Sequence, residues 1–109
     1  MEDIYVINID SQIYEKITSG KCCYMALVND KARQSYSVGN KLSFVCGENT
    51  INVTVSDLLY FENVSDLINM IGKEKCGYPA SASVSKIEDS IYTDKIEKYG
   101  LVAVKFNID

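Results

Sequence analysis

Between Lys41 and Ser56 the chain spells out a β-hairpin, and that hairpin limits what the rest can become. Lys41-Leu42-Ser43-Phe44-Val45-Cys46 is a β-prone run and Gly47-Glu48-Asn49 is a tight turn. After it Ile51, Val53 and Val55 alternate with Asn52, Thr54 and Ser56. A strand repeats every two residues, so the three branched apolar side chains share one face and the polar ones share the other. Such a strand needs a core on one side only, as in an antiparallel sheet with one covered face.

The flanking segments supply that cover. Ile4 to Ile9 reads as a first strand. Asp10-Ser11 offers an N-cap to a helix over Ser11 to Ser19, with Ile13 and Ile17 on one stripe and Gly20 as its stop. Cys22 to Val28 reads as a second strand buried on both faces, ending at the Asn29-Asp30 turn, and Lys31 to Ser37 reads as polar loop before the Val38-Gly39-Asn40 turn. Past the hairpin, Asn63 or Ser65 caps a helix carrying Val64, Leu67, Ile68 and Ile71, stopped by Gly72, and Lys73 to Ala82 reads as loop. Ser85-Lys86-Ile87-Glu88 has the form of a capping box opening a helix with Ile87 and Ile91, broken near Thr93 and resumed through Ile96 and Tyr99 to Gly100. Val102, Val104, Phe106 and Ile108 alternate along a closing strand. The connections between early strands are too short for βαβ crossovers. The expected fold is therefore α+β: a small mixed, mostly antiparallel, barrel-like sheet flanked by short helices.

At 109 residues with a single proline there is room for one domain and no Pro-rich linker to divide it, so residues 1–109 are read as one unit. A hydrophobic share of 47% and a charged share of 24% exclude a disordered chain. No apolar run is long enough to span a membrane. The acidic start Met1-Glu2-Asp3 lacks the basic, then apolar, pattern of a signal peptide. The expectation is a cytoplasmic protein with no membrane association, its four cysteines reduced. Net charge is −4, but the stretch from Glu15 to Lys41 carries Lys16, Lys21, Lys31, Arg33 and Lys41 against Glu15 and Asp30. That segment is either an anion-facing patch or a normally solvated surface.

There is no histidine, which removes imidazole metal ligands, Ser-His and Cys-His nucleophile pairs and the commonest near-neutral base. Lys21-Cys22-Cys23 places a cation beside two thiols. However, it follows a helix C-terminus, where the dipole disfavours a thiolate, and adjacent strand residues face opposite ways. Buried thiols packing as small hydrophobes are the simpler reading. Cys22, Cys23, Cys46 and Cys76 lack Cys-x-x-Cys spacing, so no metal and no cofactor are expected. Glu88-Asp89 would sit in a first helical turn and serve the helix dipole. Eight tyrosines stand against no tryptophan. Tyr60 and Tyr78, near element ends, can either stack on a flat ligand or pack with a wet hydroxyl.

Taken in order, these pieces resemble the ASCH domain, a family related to PUA domains. Ile17-Thr18-Ser19-Gly20-Lys21 is similar to its Ile-x-x-Gly-Lys signature, and Val38-Gly39-Asn40-Lys41-Leu42-Ser43-Phe44 to its Val-Gly-Asp-x-Ile-x-Phe turn and strand. Val53-Thr54-Val55 to Tyr60 and Tyr99-Gly100-Leu101-Val102-Ala103-Val104 resemble its later strands. The likeness covers roughly residues 4–108 and implies a PUA-like β-barrel. Within it, the cleft motif departs from the family. The glutamate position is Met25, the arginine position is Leu27, and the Gly-Asp aspartate is Asn40. Some members resembling this domain are acetylcytidine amidohydrolases that use a lysine, a threonine and a glutamate. Here Cys22 and Met25 stand where that lysine and threonine would, so the resemblance implies no catalytic residue. It implies a non-catalytic binding domain for RNA or a nucleotide. The implied ligand-binding residues are Lys21, Cys22, Tyr24, Arg33, Asn40, Lys41, Tyr60 and Tyr78: the bases Lys21, Arg33 and Lys41 meet phosphate, and Tyr60 or Tyr78 stacks. Two alternatives stand beside it. One is a small amidohydrolase that re-uses Lys21 with another carboxylate on acylated cytidine. The other is a protein-interaction module whose pocket Met25 and Leu27 have filled.

Overall fold

A computed structural model of the chain describes residues 4–91 and 93–109; the acidic start at Met1 to Asp3 and the position of Tyr92 lie outside the described residues. Five strands, β1 (Ile4–Asn8), β2 (Tyr24–Val28), β3 (Lys41–Cys46), β4 (Asn49–Phe61) and β5 (Leu101–Ile108), form one curled sheet in the order β1-β3-β4-β5-β2. Every pairing is antiparallel except β1 with β3. The result is a half-barrel with two free edges, β1 and β2. Five helices accompany it among the described residues: α1 (Ser11–Thr18), α2 (Lys31–Gln34), α3 (Val64–Ile71), α4 (Val84–Ile91) and α5 (Thr93–Tyr99), with a 3-10 turn at Glu74–Cys76.

The hairpin forms as its alternation requires. Leu42 and Phe44 of β3, and Val53 and Val55 of β4, all turn into one core with Val102, Val104 and Phe106 of β5. The Phe44 and Phe106 rings meet edge to face, centroids 4.9 Å apart, the arrangement that ring quadrupoles favour. Ile17 of α1 closes this core and is fully buried. The opposite face of the sheet carries a second core. There Leu101 and Ala103 pack with Ala26, Val64, Leu67, Cys76, Ile87, Ile91 and Ile96. β5 thus feeds both cores with alternate residues, which is why four consecutive positions from Leu101 to Val104 are buried.

Several expectations need correction. Cys22 and Cys23 are not part of β2. The Cys22 amide donates to Lys16 O and the Cys23 amide to Lys75 O, each at 3.0 Å, so β2 itself starts only at Tyr24. β2 is also an edge strand, and only Ala26 in it is buried, so it is not covered on both faces. The expected loop from Lys31 contains the one-turn helix α2, held because Asp30 Oδ1 accepts the Arg33 amide at 3.1 Å. The Lys73 to Ala82 loop contains the 3-10 turn. The capping box at Ser85 does not form. α4 starts two residues earlier, with Ser83 Oγ accepting the Lys86 amide at 3.2 Å, and Glu88-Asp89 therefore falls beyond the first turn. Between the two candidates for α3, the cap is Asn63, whose Oδ1 accepts the Asp66 amide at 2.8 Å. β4 is longer than its alternation suggests because a bulge at Ser56 shifts register between Val55 and Asp57, so that the strand continues to Phe61.

Candidate ligand-binding site

The two free edges of the half-barrel approach each other at one place. The end of β1 (Asn8) with Ile9 just after it, and four consecutive residues of β2 (Met25 to Val28), line a slot of about 370 Å3, within the roughly 300–1,000 Å3 usual for small-ligand pockets. Its remaining walls come from Asp10 and Ile13 at the start of α1, Asp30 and Arg33 at α2, Cys76 and Tyr78 before α4, and Ser90, Ile91 and Lys95 from α4 and α5. Apolar groups on one side belong to the first core (Ile9, Ile13, Met25, Leu27), and those on the other to the second (Ala26, Val28, Cys76, Ile91). The slot is the seam between the two cores.

Strand pairing decides what the seam presents. Phe106 N donates to Cys23 O at 3.2 Å, and Asn29 N to Gly100 O at 3.0 Å. In an antiparallel ladder, paired and unpaired residues alternate. Met25 and Leu27 therefore turn their amides and carbonyls towards β5, and Tyr24, Ala26 and Val28 turn theirs towards the free edge. The Cys22 thiol already satisfies Tyr24 O, at 3.3 Å. Ala26 and Val28, both lining the slot, hold N–H donors and C=O acceptors along its wall.

The charged groups are anchored. Arg33 Nη1 lies 3.2 Å from Asp30 Oδ2, with both side chains about one-third exposed (33% and 29%), while Arg33 Nε is buried without a hydrogen-bond partner in the structure. Asp10 Oδ1 accepts the Ile13 amide at 2.8 Å. Ser90 Oγ donates to Ile87 O at 2.7 Å and lies 3.5 Å from the Tyr78 hydroxyl. Burial raises the Tyr78 pKa, with the Ser90 contact opposing it, so at neutral pH the phenol keeps its proton and can donate. Burial likewise pushes the Cys22 thiol up to about 11 and the Cys76 thiol up to about 12, which makes both poor nucleophiles. Among the described residues, no group of three or more Cys, Asp or Glu side chains could hold a metal ion, and no helix is long and apolar enough to cross a membrane.

Of the eight residues expected to bind ligand, Arg33 and Tyr78 meet in the slot. Lys21 is exposed after α1, outside it. Cys22 is buried in the first core. Tyr24 lies on β2, its ring 6.0 Å from Lys105 Nζ. Asn40 Oδ1 accepts the Ser37 amide at 2.7 Å and so holds the turn before β3. Lys41 Nζ donates to Thr54 Oγ1 at 2.7 Å and lies 3.5 Å from Asp109 Oδ2. It pairs with Ile4, four residues and roughly 13 Å along β1 from the slot. Tyr60, 59% exposed, lines a different depression. Ile9, Ile13, Asp30, Ser90, Lys95 and the β2 edge were not singled out from the sequence. Only Asp30 left a local signal there, as the cap residue three positions before Arg33.

Solved structures with the same architecture exist. The crystal structure of hypothetical protein PH0355 matches with a TM-score of 0.83, covering 98% of this chain and 100% of that one at 17% identity. The solution structure of protein PF0455 from Pyrococcus furiosus matches with a TM-score of 0.76, covering 97% of each chain at 20% identity. The likeness is one of fold alone. No family model matches the chain, and no curated protein does.

Proposed function

We propose that the chain is a non-catalytic binding domain of the ASCH type, PUA-like in its barrel, whose seam takes the base of a nucleotide or of single-stranded RNA. The observation that carries this reading is the free edge of β2 inside an apolar slot. A nucleobase has two apolar faces and an edge of alternating donors and acceptors. The slot has two apolar walls and, between them, the unpaired amides and carbonyls of Ala26 and Val28. Bases freed from stacking are read in this way, by edge hydrogen bonds and flat packing. Arg33, with Lys95 on the same rim, supplies cations for the attached phosphate, and the Tyr78 hydroxyl adds a donor.

The amidohydrolase reading has less support. The slot contains carboxylates and a hydroxyl, but they are already engaged: Asp10 and Asp30 cap helices, Asp30 also holds Arg33, and Ser90 donates to Ile87 O. Lys21, the base that reading needs, is outside. The filled-pocket reading is weakened because Met25 and Leu27 line the slot and leave about 370 Å3 open.

The test is titration of the isotope-labelled chain with the four nucleoside monophosphates and a short single-stranded RNA at low ionic strength. Amide shifts are expected at Ala26 and Val28, and binding should weaken with salt as counterion release demands. Arg33→Ala should cost about tenfold in affinity, the scale of one charge-assisted hydrogen bond. Unmoved Ala26 and Val28 amides at millimolar nucleotide would end the proposal.

A further inference from the structure

Asn8 is the β1 residue that lines the slot, and its main chain is not used by the sheet. It faces Val45 in the parallel β1–β3 pairing, and Ile9 N donates to Val45 O at 2.9 Å. In a parallel ladder one residue of a facing pair makes both bonds, to the two neighbours of its partner, and the partner makes none. Val45 is the bonded member here. The Asn8 N–H and C=O therefore turn away from β3, towards the open edge, at an exposed position.

The slot thus has a hydrogen-bonding edge on each side, Asn8 from β1 and Ala26 with Val28 from β2. These strands stand at opposite ends of the sheet order and are not paired with each other among the described residues. Each edge offers a main-chain donor and a main-chain acceptor side by side. A flat ring that fills the space between them needs one acceptor and one donor on each of two sides. Adenine has both: N1 and one N6 proton on its Watson–Crick side, N7 and the second N6 proton on the other. Guanine puts two acceptors, N7 and O6, on that other side. Cytosine and uracil carry a single polar group there, beside C–H.

We infer, resting on the base-binding reading above, that the slot selects adenine and that the Asn8 main chain is what selects it. Asn8 N donates to N7 and Asn8 O accepts one N6 proton, while the β2 edge takes N1 and the other N6 proton. The 6-amino group enters first, where the two edges approach each other. N9 is on the far side of the ring, so the sugar and phosphate stay at the rim, where Arg33 and Lys95 stand. Guanine would set an acceptor against the Asn8 carbonyl, and a pyrimidine would leave the Asn8 amide without a partner.

The experiment is a nitrogen-15 NMR titration of the full chain, at one low ionic strength, with adenosine, guanosine, cytidine and uridine monophosphates. A fifth ligand, 7-deaza-adenosine monophosphate, keeps the shape of adenine and lacks the N7 acceptor. The adenine nucleotide should move the Asn8, Ala26 and Val28 amides together. It should bind at least about tenfold more tightly than the guanine nucleotide, the scale of a polar group left unsatisfied. The 7-deaza compound should bind about fivefold more weakly than its parent, the scale of one neutral hydrogen bond, and barely move Asn8. Asn8→Pro removes the same donor from the protein, and an edge strand tolerates proline where the N–H is unpaired. That variant should no longer distinguish the two adenine compounds; if it does not fold, the comparison on the unaltered chain decides. Adenine selection is overturned by equal affinity for the parent and 7-deaza compounds, by four bases bound alike, or by an Asn8 amide that stays still while Ala26 and Val28 move. Each of those results leaves the slot a base-binding site. Ala26 and Val28 amides unmoved by every nucleotide would end both readings.

Discussion

Asp30 ties the fold to the slot, and two substitutions separate its duties. One carboxylate oxygen accepts the Arg33 amide at 3.1 Å and so caps α2. The other lies 3.2 Å from Arg33 Nη1. Asp30→Ala removes both. Loss of an N-cap costs about 1 kcal/mol. An ion pair whose partners are 33% and 29% exposed adds about 0.5 kcal/mol. A total near 1.5 kcal/mol corresponds to roughly 6–10 °C in melting temperature for a domain of this size. Asp30→Asn keeps the cap, since asparagine serves as well as aspartate there, and loses only the charge. It should fall by about 0.5 kcal/mol, roughly 3 °C. Paired urea and thermal unfolding of the three proteins measures the difference. Nucleotide titration should show Asp30→Ala also binding more weakly, because Arg33 then loses the turn that aims it. If the asparagine variant melts with the alanine variant, the ion pair and not the cap holds α2. If neither moves by more than a few tenths of a kcal/mol, the capped turn does not exist in solution.

Two further outcomes follow from the geometry. Gly100 has φ +74°, and a Cβ there would stand 3.0 Å from Phe61 O, a backbone atom that cannot swing aside. Gly100→Ala should therefore cost more than the roughly 1 kcal/mol of a left-handed alanine alone. Gly47→Ala, at φ +61° with nothing within 4 Å, should cost only that conformational part; urea midpoints compare the two, and equal losses would contradict the contact. The thiols give a pH dependence. Cys22 and Cys76 ionise at about 11 and about 12 when folded, raised by burial from 9.0. The unfolded chain thus releases these protons first as pH rises. Their contribution to stability is complete below about pH 9 and is lost as the pH climbs through the folded values. Unfolding followed from pH 8 to 11 should show this alkaline loss, reduced in Cys22→Ala and Cys76→Ala, and a flat profile would contradict the burial.

The strands and helices were largely legible, and the misreadings share a cause. Period-two alternation marks β3, β4 and β5 because each has a face in a core. β2 is apolar throughout, and an edge strand between two cores has the same composition as a central strand covered on both sides. Residue types could not separate the two; the sheet order does. The start of β2 was misplaced because Cys22 and Cys23 are apolar enough for a strand, while their amides are taken by Lys16 O and Lys75 O, contacts that only the folded chain brings together. Ser85 reads as the cap because its spacing to Glu88 has the form of a capping box. The helix instead begins at Val84, where Ser83 Oγ accepts the Lys86 amide at 3.2 Å; both starts keep Ile87 and Ile91 on the buried face.

The site was harder to read, for a physical reason. The groups that the proposed function assigns to binding include main-chain amides and carbonyls at Ala26 and Val28, and no side-chain identity encodes them. They are free because β2 has a partner on one side only, which is a property of topology. Side-chain reasoning gathered the bases of the Glu15 to Lys41 stretch into one patch. The sheet instead carries Lys41 to the far end of β1, against Thr54 and Asp109, and leaves Arg33 at the seam. The same reasoning gave Tyr60 or Tyr78 the stacking role in one cleft with those bases, whereas the fold sets Tyr60 in a separate depression with Glu62 and Glu97 and Tyr78 in the slot with Arg33. In the proposed ASCH-like reading, Met25 and Leu27 at the cleft positions argue for a closed pocket only if specificity lies in side chains. Were the strand edge the reading surface, as proposed, hydrocarbon at those two positions is what a flat, apolar-faced ligand would require, so the absence of polar side chains there is compatible with a binding site.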